Sequence, residues 1–163
     1  MAATLALSVS YGAGPTPADG VTGIDLESAD NGTNLLANRQ ANPITVGTNS
    51  YEKWIRLKIT ATPQNYVQNF KVWFNSTVDS STTLYFTGAY VTYVQGTTAA
   101  STFANVSATV HTANNKATWD TNSYQSNNLN SYTKYLVMQL AVGATAGPGN
   151  WTQQTVNYSY DEA

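Results

Sequence analysis

The sequence predicts an all-β protein, a single antiparallel β-sandwich of the immunoglobulin-like or jelly-roll kind with a long N-terminal loop or arm. Two observations carry this. Apolar residues recur at period two in every hydrophobic segment and at helical spacing in none. The runs they form are rich in aromatic and β-branched residues and are separated by Gly, Pro, Asn and Ser clusters. The length of 163 residues fits one domain, which buries about two thirds of its unfolded surface. There is no cysteine, so neither a disulfide nor a thiolate metal site is available.

The first segment, MAATLALSVSY, is expected as a strand with Leu5, Leu7 and Val9 on one face and Thr4, Ser8 and Ser10 outward. It has no basic n-region and no continuous apolar stretch, so it does not read as a signal peptide. Residues 12–50 follow as a loop-rich arm or extended connection. Gly12 to Gly23 (GAGPTPADGVTG) is too rich in Gly and Pro for helix, and Ile24 to Ser50 has short apolar patches between breakers. This is long for a structureless loop, so it is expected to hold one or two short strands or to be ordered by a partner.

Tyr51 to Thr62 predicts a central strand with Ile55, Leu57 and Ile59 inward and Trp54, Arg56 and Lys58 outward. Tyr66 to Asn75 predicts the next, with Phe70, Val72 and Phe74 on one face and Lys71 and Trp73 on the other. Leu84 to Val94 is interrupted by Gly88, which marks a bulge or a kink between sheets. Phe103 to Val110 reads as a weaker strand, and Asn114 to Ser131 as an Asn/Ser-rich excursion. Tyr135 to Val142 (YLVMQLAV), the turn GATAGPGN and Trp151 to Tyr160 (WTQQTVNYSY) then predict a closing hairpin. Leu57, Ile59, Phe70, Val72, Phe74, Leu136, Met138 and Leu140 are the expected core.

Charged residues make up 10% of the chain against about 25% in a typical soluble protein. Solubility therefore rests on Asn, Thr, Ser and Gln. A weakly charged polar surface suits packed assemblies, where ordering long Lys and Glu side chains is costly. The net charge of -2 excludes a nucleic-acid polycation, and no apolar run approaches the roughly 20 residues of a membrane helix. The glycosylation-like triplets at Asn31, Asn75, Asn105, Asn150 and Asn157 follow from Asn, Ser and Thr abundance alone.

Catalytic constellations are scarce, and no enzyme is expected. His111 is the single histidine and reads as a capped or solvent-facing residue. A glycosidase needs two carboxyl groups about 5 to 9 Å apart, and the acidic residues are dense only between Asp19 and Asp30, in a Gly-rich segment. Within it Asp25, Glu27 and Asp30 form a weak calcium candidate, with the hard oxygen ligands that ion takes. Their spacing is not that of an EF-hand loop, and a solvated acidic loop is the plainer reading, so no cofactor is assigned. The candidate partner-binding face gathers Lys53, Trp54, Arg56, Lys58, Lys71 and Trp73 on two strands taken as neighbours. Arg and Trp favour interface centres, and such aromatic residues also stack on sugars.

The C-terminal stretch resembles small virion proteins of tailed bacteriophages, whose chains often end in a strand, a Thr-Ala-x-Pro-Gly turn, a strand and Tyr-Asp-Glu. The matching residues are Gln139 to Val142, Thr145 to Gly149 and Val156 to Glu162. Among such proteins the size resembles that of head decoration (cement) proteins. The resemblance implies a structural protein on the outer capsid surface of the virion, bridging major capsid protein subunits as a trimer or dimer. It implies no catalytic residue, nucleic-acid partner or membrane partner. A phage tail, fibre or baseplate module and a carbohydrate-binding or adhesive module are the alternatives.

Overall fold

A computed structural model describes residues 2–32, 36–74, 81–147 and 155–163. The strands are β1 (Thr4–Tyr11), β2 (Thr16–Asp19), β3 (Lys53–Ala61), β4 (Tyr66–Phe74), β5 (Thr82–Tyr90), β6 (Val106–Ser107), β7 (Ala117–Asp120), β8 (Tyr124–Gln125), β9 (Tyr135–Val142) and β10 (Val156–Glu162), and one short helix, α1 (Leu36–Ala41), precedes β3. They form two antiparallel sheets packed face to face, the expected sandwich. The larger sheet runs β2-β1-β3-β9-β5-β6, and the smaller runs β10-β4-β7, with β8 also pairing β4.

The period-two pattern of the sequence sets what lies between the sheets. Ile55, Leu57 and Ile59 of β3, Leu136, Met138 and Leu140 of β9, and Leu84 and Phe86 of β5 meet Val67, Phe70, Val72 and Phe74 of β4 in one apolar cluster. All eight expected core residues are buried. Gly88 sits where the β5–β9 register shifts, and a Cβ there would stand 2.7 Å from the Thr118 carbonyl. Glycine is what allows β5 to bend against the backbone of β7.

The structure departs from the expected closing hairpin and adds detail to two further segments. The closing hairpin does not form. β9 is flanked on both edges by β3 and β5, so β10 has no edge of it to pair with and adds to β4 in the other sheet. The chain between them crosses from sheet to sheet, and 148–154 of the expected turn and strand lie outside the described residues. Second, residues 12–50, read as a loop-rich arm or extended connection, hold one short strand and one short helix among the described residues and are tied to the sandwich at several points. β2 pairs with β1, Val21, Ile24 and Leu26 pack on the core, and Tyr51 N–H donates to the Glu27 carbonyl at 2.8 Å. Burying those three side chains and satisfying that backbone offsets part of the ordering cost without a partner. Third, the Asn-rich excursion contains β7, whose Trp119 is fully buried and donates its indole N–H to the Lys134 carbonyl at 2.9 Å.

The outward face of the larger sheet carries a second, smaller core. Residues 91–104 fold over it around Trp54, and Ser8 and Ser10 on this face, expected outside, are buried. Gln139 pins this cover. Its amide nitrogen donates to the carbonyls of Ser50 at 3.0 Å and Ala99 at 2.8 Å, and its oxygen accepts from Ser101 N–H at 2.9 Å.

Candidate functional site

The six residues of the expected partner-binding face do not share a surface, because β3 and β4 belong to different sheets. Lys53 and Trp54 are buried. Lys53 has the parity of Ile55, Leu57 and Ile59, and therefore points between the sheets, where its side chain is 2% exposed. Trp54 points the other way and is enclosed by Tyr90, Tyr93, Phe103 and Tyr135, with ring centroids 5.0 to 5.8 Å away. It is out of reach of either a capsid or a sugar.

Arg56 and Lys58 remain partly exposed on the larger sheet but are engaged within the chain. The Arg56 guanidinium lies 3.7 Å from the Tyr132 ring centroid, a cation–π contact. Lys58 Nζ is 2.7 Å from Asp19, which also accepts from the Tyr132 hydroxyl at 3.0 Å. Burial raises the Asp19 pKa, but the bonds from Lys58 and the Tyr132 hydroxyl outweigh it and hold the carboxyl below its ordinary 3.8. A lowered pKa stabilises the fold above pH 3.8, and that stabilisation is lost as pH falls through the folded value. An NMR titration should place the Asp19 midpoint below 3.8; one at or above it means that the clamp is open in solution.

The acidic residues of this segment are each engaged by groups of the chain itself. Arg39 binds Asp25 at 2.7 Å, Lys53 Nζ lies 3.7 Å from Glu27, and Asp30 accepts from Gly12 N–H at 3.0 Å. Among the described residues no group of three or more His, Asp or Glu is placed to hold a metal ion. The calcium candidates Asp25, Glu27 and Asp30 therefore do not converge on a common point. His111 Nδ1–H donates to the Asn115 carbonyl, 3.0 Å away, and the ring packs on Phe86.

Lys71 and Trp73 lie on the outer face of the smaller sheet. Around them are Asn157 and Ser159 of β10, which pair with Trp73 and Lys71, and Lys116 and Thr118 beside and on β7. Lys116 Nζ stands 4.4 Å above the Trp73 ring and 3.4 Å from the Ser159 hydroxyl, while Lys71 Nζ donates to Thr118 at 3.0 Å. Among the described residues no strand or helix crosses this face. It presents a partly exposed indole beneath the Lys116 ammonium, with Lys71 two residues before it on the same strand face, as a polar platform. Comparison with protein-family models, curated proteins and solved structures gives no match. The site must therefore be read from its own chemistry.

Sequence reasoning missed Lys116 and Gln139. Lys116 lies in a stretch that gave no strand signal until Trp119 was placed. Gln139 had one: it is the lone polar residue in an apolar run, which requires hydrogen-bond partners if that run is buried.

Proposed function

We propose that this protein is a non-catalytic structural module of a virion, a decoration protein that binds the outside of an assembled capsid and bridges major capsid protein subunits. The observation that carries the reading is the asymmetry of the two outer faces. Among the described residues the larger sheet is covered by an aromatic shell, whereas the smaller sheet leaves Lys71 and Trp73 partly exposed on one face beside Lys116. An indole flanked by cations suits the acidic and apolar surface at a seam between subunits. The resemblance of the C-terminal residues to phage virion proteins supports the same reading, as does the low surface charge. Binding an assembled lattice in preference to loose subunits would stabilise the shell by mass action.

The same platform favours a second reading. A half-buried indole amid Asn, Ser, Thr and Lys side chains on a sheet face is also what stacks against a sugar ring. Trp73→Ala and Lys71→Glu separate the two. On capsids assembled without this protein, Lys71→Glu should weaken binding more than tenfold, because like-charge contact at a packed interface costs several kcal/mol. Folding should change by no more than about 0.5 kcal/mol. Retention on a glycan array that is lost in Trp73→Ala and kept in Lys71→Glu, without capsid binding, would replace the decoration reading with the sugar-binding one.

A further inference from the structure

The inner end of β3 holds an amine, a carboxyl group and a carboxamide in an arrangement that an ion pair does not explain. Lys53 Nζ is enclosed and donates to two backbone carbonyls, those of Ala29 at 3.1 Å and Asn31 at 2.8 Å. Glu27, 1% exposed, stands further off at 3.7 Å. The Asn31 side chain reaches the same carboxyl group, yet neither Glu27 oxygen closes a hydrogen bond of ordinary geometry. A buried pair that served stability alone would be expected to close its contacts, because leaving charges desolvated and incompletely bonded is costly. The bonds made suit neutral groups. A neutral amine has two N–H donors, which the two carbonyls take, and one lone pair left over. Burial drives in that direction: it pushes the Lys53 ammonium pKa down against the attraction of Glu27, Asp30 and Asp25, and pushes the Glu27 carboxyl up against Lys53.

We propose that Lys53 and Asn31 become joined by an intramolecular isopeptide bond, with Glu27 carrying the protons. The neutral Nζ attacks Asn31 Cγ while the Glu27 acid polarises the carboxamide oxygen, and the Nζ–Cγ bond forms. A proton leaves Nζ for Glu27, which delivers a proton to the carboxamide nitrogen. The Cγ–Nδ2 bond breaks, and ammonia departs past the partly exposed Asn31. Amine plus carboxamide gives secondary amide plus ammonia, with no oxidant, metal or cofactor, and Glu27 is regenerated. Confinement of the three groups replaces external activation, as desolvated lysines and positioned acids do elsewhere. The link ties positions 22 residues apart and closes a ring that includes α1. In a chain with no cysteine it supplies the restraint on the unfolded ensemble that a disulfide would give.

Intact-mass spectrometry of the denatured full-length chain tests the proposal. The wild type should be lighter than its sequence by one ammonia, and protease digestion should give a branched peptide joining Asn31 to Lys53. Lys53→Met and Glu27→Gln should have their full sequence masses. Asn31→Asp should still cross-link, losing one water in place of ammonia. A wild type at full mass overturns the proposal, and this decides the matter even where a variant fails to fold. So does an ammonia deficit that persists in Lys53→Met, which is the signature of a cyclic imide at Asn31–Gly32. Loss of water from the wild type would place the bond on a carboxylate and overturn the assignment to Asn31.

Discussion

Trp54→Ala is expected to destabilise the protein by about 3–5 kcal/mol, the range for deleting a large buried aromatic side chain. The indole has no exposed surface and touches four other rings, so its removal leaves a cavity beneath residues 91–104. That cover has few means of collapsing into the gap, because Gln139 holds its backbone at Ala99 and Ser101. Trp54 Nε1 makes no hydrogen bond, so Trp54→Phe loses area without losing a partner and should cost less. Urea unfolding measures both. A change within about 0.5 kcal/mol for Trp54→Ala, as at a surface position, would mean that the aromatic shell is not seated in solution.

Asp120→Ala is expected to cost a similar amount, about 3–5 kcal/mol, through polar groups instead of volume. The carboxylate is fully buried at the end of β7. It accepts from Asn122 N–H at 2.9 Å, the Tyr124 hydroxyl at 2.7 Å and Lys134 N–H at 2.8 Å, with Lys134 Nζ 3.8 Å away. Alanine leaves the buried Tyr124 hydroxyl without its acceptor and takes the acceptor from two part-buried backbone N–H groups, and each buried unsatisfied donor costs about 1–3 kcal/mol. Asp120→Asn keeps the shape and part of the acceptor capacity and should cost less. Burial first, and then the bond to Asp120, hold the Tyr124 hydroxyl well above its ordinary pKa. A raised pKa contributes stability that is whole below about pH 10 and is lost as pH rises through the folded value. The gap in stability between wild type and Asp120→Ala should therefore narrow at strongly alkaline pH, the part owed to the two backbone N–H bonds remaining; an undiminished gap there would contradict the Tyr124–Asp120 bond.

What was legible in the sequence is what alternation along one strand determines. The inward faces of β3, β4 and β9 follow from parity, and parity also places Lys53 with Ile55 and Leu57, although its charge argued for solvent. Pairing partners were not legible. A strand, a Gly/Pro turn and a strand have the same pattern whether they make a hairpin or cross between sheets, and the choice at β9 and β10 was made by β3 and β5 occupying both edges of β9. Trp54 was misplaced for a related reason. Alternation distinguishes two faces of a sheet, but it does not reveal that a segment some forty residues later covers the outer one. Of the candidate face, Lys71 and Trp73 kept their exposure because nothing among the described residues folds over the smaller sheet.

The pairing of β4 with β10 also sets a schedule for making the molecule. Asn69 and Asp161, bonded to each other at 2.8 Å, are 92 residues apart in the chain. At a ribosomal rate of about 5–20 residues per second, β4 has left the peptidyl-transferase centre roughly 5–20 s before its partner is synthesised. Throughout that interval one edge of β4 is unpaired, with Val67, Phe70, Val72 and Phe74 lacking the Val156 and Tyr160 that later pack beside them. An open edge of this kind templates association with another nascent chain. Crowding of ribosomes on one message makes such an encounter more frequent, and the yield of soluble protein should rise as the spacing between nascent chains is increased.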